Sequence, residues 1–115
     1  MVATSLVYAI RFVANMEQSI RFHEQQLGLR LRFRTAEWSE FETGQTTLAL
    51  HLANKANPPG TTQVGFRIAD VDAFCQEAMR HGCMVVVQPS NVHGMRIARL
   101  VDPDGAEFSV SSGGA

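Results

Sequence analysis

The feature that constrains this chain most is a plan used twice. LVYAIRFVAN reads as a β-rich run, and MEQSIRFHEQQLG after it reads as a helix. Three further strands follow, in LRLRFRT, WSEFET and TTLALHL. The second half repeats the order: QVGFRIAD is a strand, VDAFCQEAMRHG a helix, and CMVVVQ, MRIARLV and AEFSV are strands. The stretch from Tyr8 to Asn15 overlays that from Gln63 to Asp70 with almost no shared identities. The repeat spans about half the chain, so it is a duplication and not a solenoid.

Local signals set the helix ends. Asn15 is a good N-cap with Gln18 three residues on, and Gly28 is a stop after the apolar positions Met16, Ile20, His23 and Leu27. Asp70 and Gly82 bracket the second helix in the same way. Pro58-Pro59-Gly60 cannot continue helix or sheet, which makes residues 53–62 a linker between module one (1–52) and module two (63–115). The whole of 1–115 is then a single α+β domain by length. PSNVHG, residues 89–94, reads as a loop.

Composition narrows the function classes. Ten Lys+Arg against eleven Asp+Glu give a net charge of -1, which argues against a nucleic-acid footprint. The arginines at 21, 30, 32, 34 and 80 read as solvated faces. No apolar run approaches the roughly 20 residues of a membrane span, and Arg11 breaks the N-terminal one. Cys75 and Cys83 have no metal spacing and read as reduced thiols, which fits a cytoplasmic protein. No phosphate-binding glycine loop and no G-x-S-x-G is present. His23 reads as a packing residue, and His81 as a partner for the end of the second helix.

Alternation along the strands sorts the side chains into two faces. Leu48 and Leu50, Val64, Phe66 and Ile68, and Phe108 and Val110 are expected to pack on the helices. The opposite face would carry Tyr8, Ile10 and Phe12, then Thr47, Ala49 and His51, then Gln63, Gly65 and Arg67, then Glu107, Ser109 and Ser111. Aromatics mixed with a few polar groups suit a small-molecule cavity better than a solvated face. Trp38 and Phe41 are further aromatic candidates, but strand parity places only one of them inside. Glu40 and Glu42, facing inward, would favour a cationic ligand.

FVANMEQSIRFHEQQLGL, TTLALHL, VGFRIADVDAF and LVDPDGAEFSV together resemble the vicinal oxygen chelate superfamily, the glyoxalase, bleomycin-resistance and extradiol-dioxygenase group. Phe22-His23 departs from the aromatic pair usual in its first helix. The resemblance implies two βαβββ modules in a cupped mixed sheet around a cavity, and a homodimer. It also implies four metal-ligand positions, which fall here on Tyr8, Ala49, Gln63 and Ser109. Alanine has no donor, and hydroxyls are weak ligands, so no metal and no other cofactor is expected. A displaced set of His51, Glu107, Gln63 and His93 is the alternative.

The resulting expectation is a metal-free protein that sequesters a hydrophobic or cationic aromatic compound, as in antibiotic resistance. Its ligand would meet Tyr8, Phe12, Trp38, His51, Gln63, Arg67 and Ser109. Two alternatives stand beside it. One is a lyase or isomerase with Glu107 and His51 as acid and base, or with the rearranged metal site. The other is a regulatory or structural dimer with a vestigial cavity.

Overall fold

The computed structural model describes residues 4–113, so the ends of both expected modules, 1–3 and 114–115, lie outside the described residues. Among the described residues the order is β1 (Ser5–Val13), α1 (Met16–Gln25), β2 (Arg30–Arg34), β3 (Trp38–Glu42), β4 (Thr47–Leu52), β5 (Thr62–Arg67), α2 (Val71–Arg80), β6 (Met84–Val92), β7 (Met95–Val101) and β8 (Glu107–Ser111). This is βαβββ twice, the α+β class expected. The described residues divide into two compact units, one holding Tyr8–Gln63 and the other residues 4–7 and 64–113.

In the first unit the strands run β2-β3-β4-β1, with β1 and β4 parallel and the other pairs antiparallel. Asn15 caps α1 by accepting the Gln18 N–H at 3.0 Å. Met16 and Ile20 pack from the helix onto Val13, Phe41 and Leu50, with Leu29, Leu31 and Leu48 around them. Leu27, expected on the buried stripe, is instead 55% exposed. The helix ends at Gln25, before Leu27, and Gly28 at φ 69° turns the chain away.

The second unit repeats the order as β5-β8-β7-β6, again with one parallel pair, β5 with β8. Asp70 caps α2 by accepting the Ala73 N–H at 3.0 Å. Val71 and Cys75 bury against Ile68, Ala98, Leu100 and Val110. Cys75 and Cys83 are both free thiols. The turn Asp102-Pro103-Asp104-Gly105 is held by the Asp102 carboxylate, which accepts the N–H groups of Asp104 at 3.0 Å and Ala106 at 2.9 Å.

Residues 89–94 are not a loop. β6 continues through Pro89 to Val92, and only His93-Gly94 turns. The pairing of β6 with β7 slips twice between Val85 and Ser90, and β6 is the outer strand of its unit. A proline is tolerated at such an irregular outer position because no ladder donor is required of it there. His93 at φ 49° and Gly94 at φ 80° give the two left-handed residues of a tight hairpin. Met84, Val86 and Val87 on this strand are exposed.

Helix coverage on one face predicts where truncation matters. Leu50→Ala, at a fully buried site in the first core, is expected to cost about 2–5 kcal/mol. Val64→Ala, on a face assigned to the helices but 39% exposed, is expected to cost well under that. Urea denaturation of both variants checks the order, and equal losses would contradict the packing described.

Candidate functional site

The helix-free face of the first unit brings four of its candidate residues, Tyr8, Phe12, Trp38 and His51, into one group. β1 contributes Tyr8, Ile10 and Phe12, which sit beside Thr47, Ala49 and His51 of β4. β3 adds Trp38 opposite His51, and Glu40 opposite Ala49. The His51 ring lies 4.9 Å from that of Phe12 and 5.8 Å from that of Trp38, and Trp38 meets Tyr8 edge-on at 5.6 Å. Four rings therefore form one continuous chain of contacts. Phe41 lies on the opposite face, fully buried in the helix-side core, so parity resolves in favour of Trp38.

Glu40 is the organising polar group of this face, and it was assigned only a field effect from sequence. Its side chain is 7% exposed. One carboxylate oxygen accepts Trp38 Nε1–H at 2.9 Å and the Tyr8 hydroxyl at 3.4 Å. The other accepts Arg32 Nη1–H at 3.1 Å, and the same nitrogen donates to Thr47 Oγ1 at 3.2 Å. Donors to both oxygens offset the cost of burying the charge. Burial, and then the adjacent Glu40 carboxylate, push the Tyr8 hydroxyl above its ordinary pKa.

This geometry revises two expectations. Arg32 is exposed, as a solvated strand face would be, but it is also the partner of a buried carboxylate. Glu40 and Glu42 do not leave an uncompensated negative field for a cation: Glu40 is matched by Arg32, and Glu42 faces Arg30 at 3.6 Å. Parity alone could have placed Glu40 beside Trp38, two residues away on one strand. Arg32 was harder to place, because the β2–β3 register slips between Leu31 and Phe33.

His51 Nδ1 lies 2.7 Å from the Leu52 carbonyl oxygen. A carbonyl only accepts, so Nδ1 carries the proton and Nε2 of the neutral ring is an acceptor. His51 is half-buried, within reach of a molecule on this face. Gln63 is buried and donates from Nε2 to Asn57 Oδ1 at 3.4 Å, so it is engaged with the segment before β5. Asn57 in turn is held by the Asn54 carboxamide oxygen, which accepts its backbone N–H at 2.8 Å.

In the second unit Ser109 pairs with Gly65 on one side and Arg99 on the other, Arg67 pairs with Ser111, and Glu107 with Val101. Arg67 lines a recess of about 450 Å³, and Phe12 lines one of about 320 Å³ that runs along α1 past Phe22 and Pro59. His93 occupies the β6–β7 turn. His23 packs against Phe41 at 5.5 Å with Nδ1 2.7 Å from the Ser19 carbonyl oxygen, and His81 Nε2 lies 3.0 Å from Glu77 Oε1.

The four family positions do not fit a divalent ion. Tyr8 keeps its phenol proton more firmly than a free tyrosine, so it is a poor anionic ligand. Ala49 has no donor atom, Gln63 offers a single neutral amide oxygen, and Ser109 a neutral hydroxyl. Among the described residues no three His, Cys, Asp or Glu side chains are placed to hold a metal.

Tyr8 is the single tyrosine, so its ionisation can be read directly from tyrosinate absorbance. The midpoint is expected above 10.0. A proton held more tightly in the folded state stabilises it fully below the ordinary pKa, and that contribution is lost as pH rises through the folded value. Glu40→Gln is expected to move the midpoint back toward 10.0, since burial remains but the charge is gone. A wild-type midpoint at the free-tyrosine value would remove the described contact.

Comparison with known proteins places this geometry. The model of the Glyoxalase/Bleomycin resistance protein/Dioxygenase superfamily matches residues 5–110. An uncharacterized protein of Mycolicibacterium smegmatis (strain ATCC 700084 / mc(2)155) is 35% identical over 92 residues, 79% of this chain and 78% of that one. Among solved structures, a variant of Streptomyces coelicolor methylmalonyl-CoA epimerase in complex with 2-nitronate-propionyl-CoA superposes with a TM-score of 0.77. It shares 17% identity and covers 96% of this chain and 97% of its own. A glyoxalase/bleomycin resistance protein/dioxygenase superfamily member from Vibrio splendidus 12B01 gives 0.73 at 12% identity, covering 95% and 98%. At these identities the two structures establish the fold alone. No helix among the described residues is long and apolar enough to cross a membrane. The chain belongs to the Glyoxalase/Bleomycin resistance protein/Dioxygenase superfamily.

Proposed function

We propose that this protein binds a small organic molecule with a flat, conjugated body against the half-exposed rings of Trp38 and His51, which the buried Tyr8 and Phe12 support from behind, and that it does so without a metal ion. The observation that carries this reading is the fixed orientation of Trp38. Its indole N–H is held by Glu40 at 2.9 Å, and Glu40 is itself held by Arg32 and Tyr8. A ring locked in this way loses little freedom when a ligand stacks on it. His51 adds a half-exposed aromatic edge and an acceptor nitrogen that would read one ligand donor. The donor chemistry at the four family positions supports the metal-free part of the proposal.

A cationic ligand is no longer favoured, because Glu40 and Glu42 are each matched by an arginine. A second reading keeps the same face but adds chemistry: a lyase or isomerase in which the unprotonated Nε2 of His51 accepts a proton.

Trp38 is the single tryptophan, so its fluorescence reports the face directly. A panel of planar aromatic compounds is expected to give a saturable change with at least one member. His51→Ala is expected to weaken that binding roughly 2- to 10-fold, the worth of one ring–ring contact. Elemental analysis of the purified protein is expected to show no stoichiometric metal. A bound stoichiometric metal, or no saturable response across the panel, sinks the proposal. Product formation abolished in His51→Ala would replace sequestration by the enzyme reading.

The proposal extends to the homodimer that family resemblance implies. Sedimentation velocity is expected to show a dimer at micromolar concentration, and a monomer at every concentration tested would remove that part.

A further inference from the structure

We propose that the recess beside Arg67 in the second unit is a binding site for a small oxyanion, a carboxylate or phosphate group. The recess holds about 450 Å³ and is lined by Thr4, Ser5, Arg67, Ala69 and Ser112. That is room for a small ligand rather than a single water. Four of its five lining residues carry a hydroxyl or a guanidinium group.

Several charges near this recess are already engaged. Arg96 is not available: its Nε and Nη2 donate to the two Asp72 carboxylate oxygens, each at 2.9 Å. That bidentate pair consumes the guanidinium fork and one acid at the same time. Asp70, next to Ala69 in the chain, is also engaged, since its carboxylate accepts the Ala73 N–H at 3.0 Å as the cap of α2. Arg67 has no side-chain hydrogen bond or ion pair with any described residue. It is therefore an unmatched cation facing a recess whose neighbouring acids are occupied.

The remaining donors suit the same ligand. Ser112 Oγ accepts the Arg96 backbone N–H at 2.9 Å, which orients the hydroxyl and leaves its own proton to donate. Ser5 presents a second hydroxyl at the recess. A planar guanidinium with two flanking hydroxyls is matched by the geometry of a carboxylate or phosphate, where two or more oxygens accept at once. An alkylammonium or a purely apolar group would gain nothing from this set.

The recess shares no residue with the aromatic face, and its test uses probes that need no aromatic ligand. Two-dimensional ¹H–¹⁵N spectra of the whole chain would be followed while sodium phosphate, or separately sodium acetate, is added at constant ionic strength set with sodium chloride. Saturable shifts centred on the amides of Arg67, Ala69 and Ser112 are expected. Tighter phosphate would identify a phosphate ester as the ligand class, and tighter acetate a carboxylate. Arg67→Gln is expected to weaken binding about tenfold or more, the worth of one charged hydrogen-bonding partner. Arg99→Gln, which removes the same charge elsewhere in the unit, is expected to leave it unchanged. Shifts that do not saturate, equal affinity in Arg67→Gln, or an equal loss in Arg99→Gln would each overturn the proposal. Arg67 is exposed, so its substitution is not expected to compromise folding.

Discussion

Everything distinctive about this protein follows from the fact that a strand has two faces and each unit has one helix to cover them. α1 lies on the face of Leu48, Leu50, Phe41 and Val13, and α2 on that of Ile68, Leu100, Ala98 and Val110. Burying those residues drives each unit to fold. The alternate residues are left on faces that no helix of their own unit covers. Their composition is where function has to be sought, since the helix-side faces are already committed to packing.

In the first unit that face is closed by its own polar chemistry. A carboxylate at 7% exposure would be untenable alone, because removing it from water costs several kcal/mol. Trp38, Tyr8 and Arg32 surround it instead, and Thr47 shares the arginine. A buried pair of this kind is weak evidence for added stability. What it does supply is position: four strands are tied at one point, and the indole is held in one orientation. The place where relatives could set a metal ligand on β1 is thereby taken up by a neutral phenol bonded to a carboxylate.

The second unit treats its equivalent face differently. No carboxylate among the described residues pairs with Arg67, and Ser109 and Gly65 leave the middle of the face without bulk. The two modules share a backbone plan but not a chemistry. One offers rings held by an internal ion pair, and the other offers an unmatched guanidinium beside hydroxyls. Duplication preserves the element order because the helix-packed residues enforce it, while the other faces are free to diverge.

The sequence by itself determined the elements and most of the faces. Asn15 and Asp70 cap the helices through their own side chains, a local event readable from the chain. Period-two alternation put Tyr8, Ile10 and Phe12 on one face and Leu48 and Leu50 on the other, because adjacent strand residues must point opposite ways. It failed where the pairing slips. The irregular β2 hid Arg32, and the bulged β6 made a strand with a proline look like a loop. Only the tertiary structure decided which charge met which. That Glu40 is matched by Arg32, that Asp72 takes Arg96, and that Arg67 is left over are outcomes of strand register and helix placement. Such pairings act over a few ångströms between residues distant in the chain, and no local pattern encodes them.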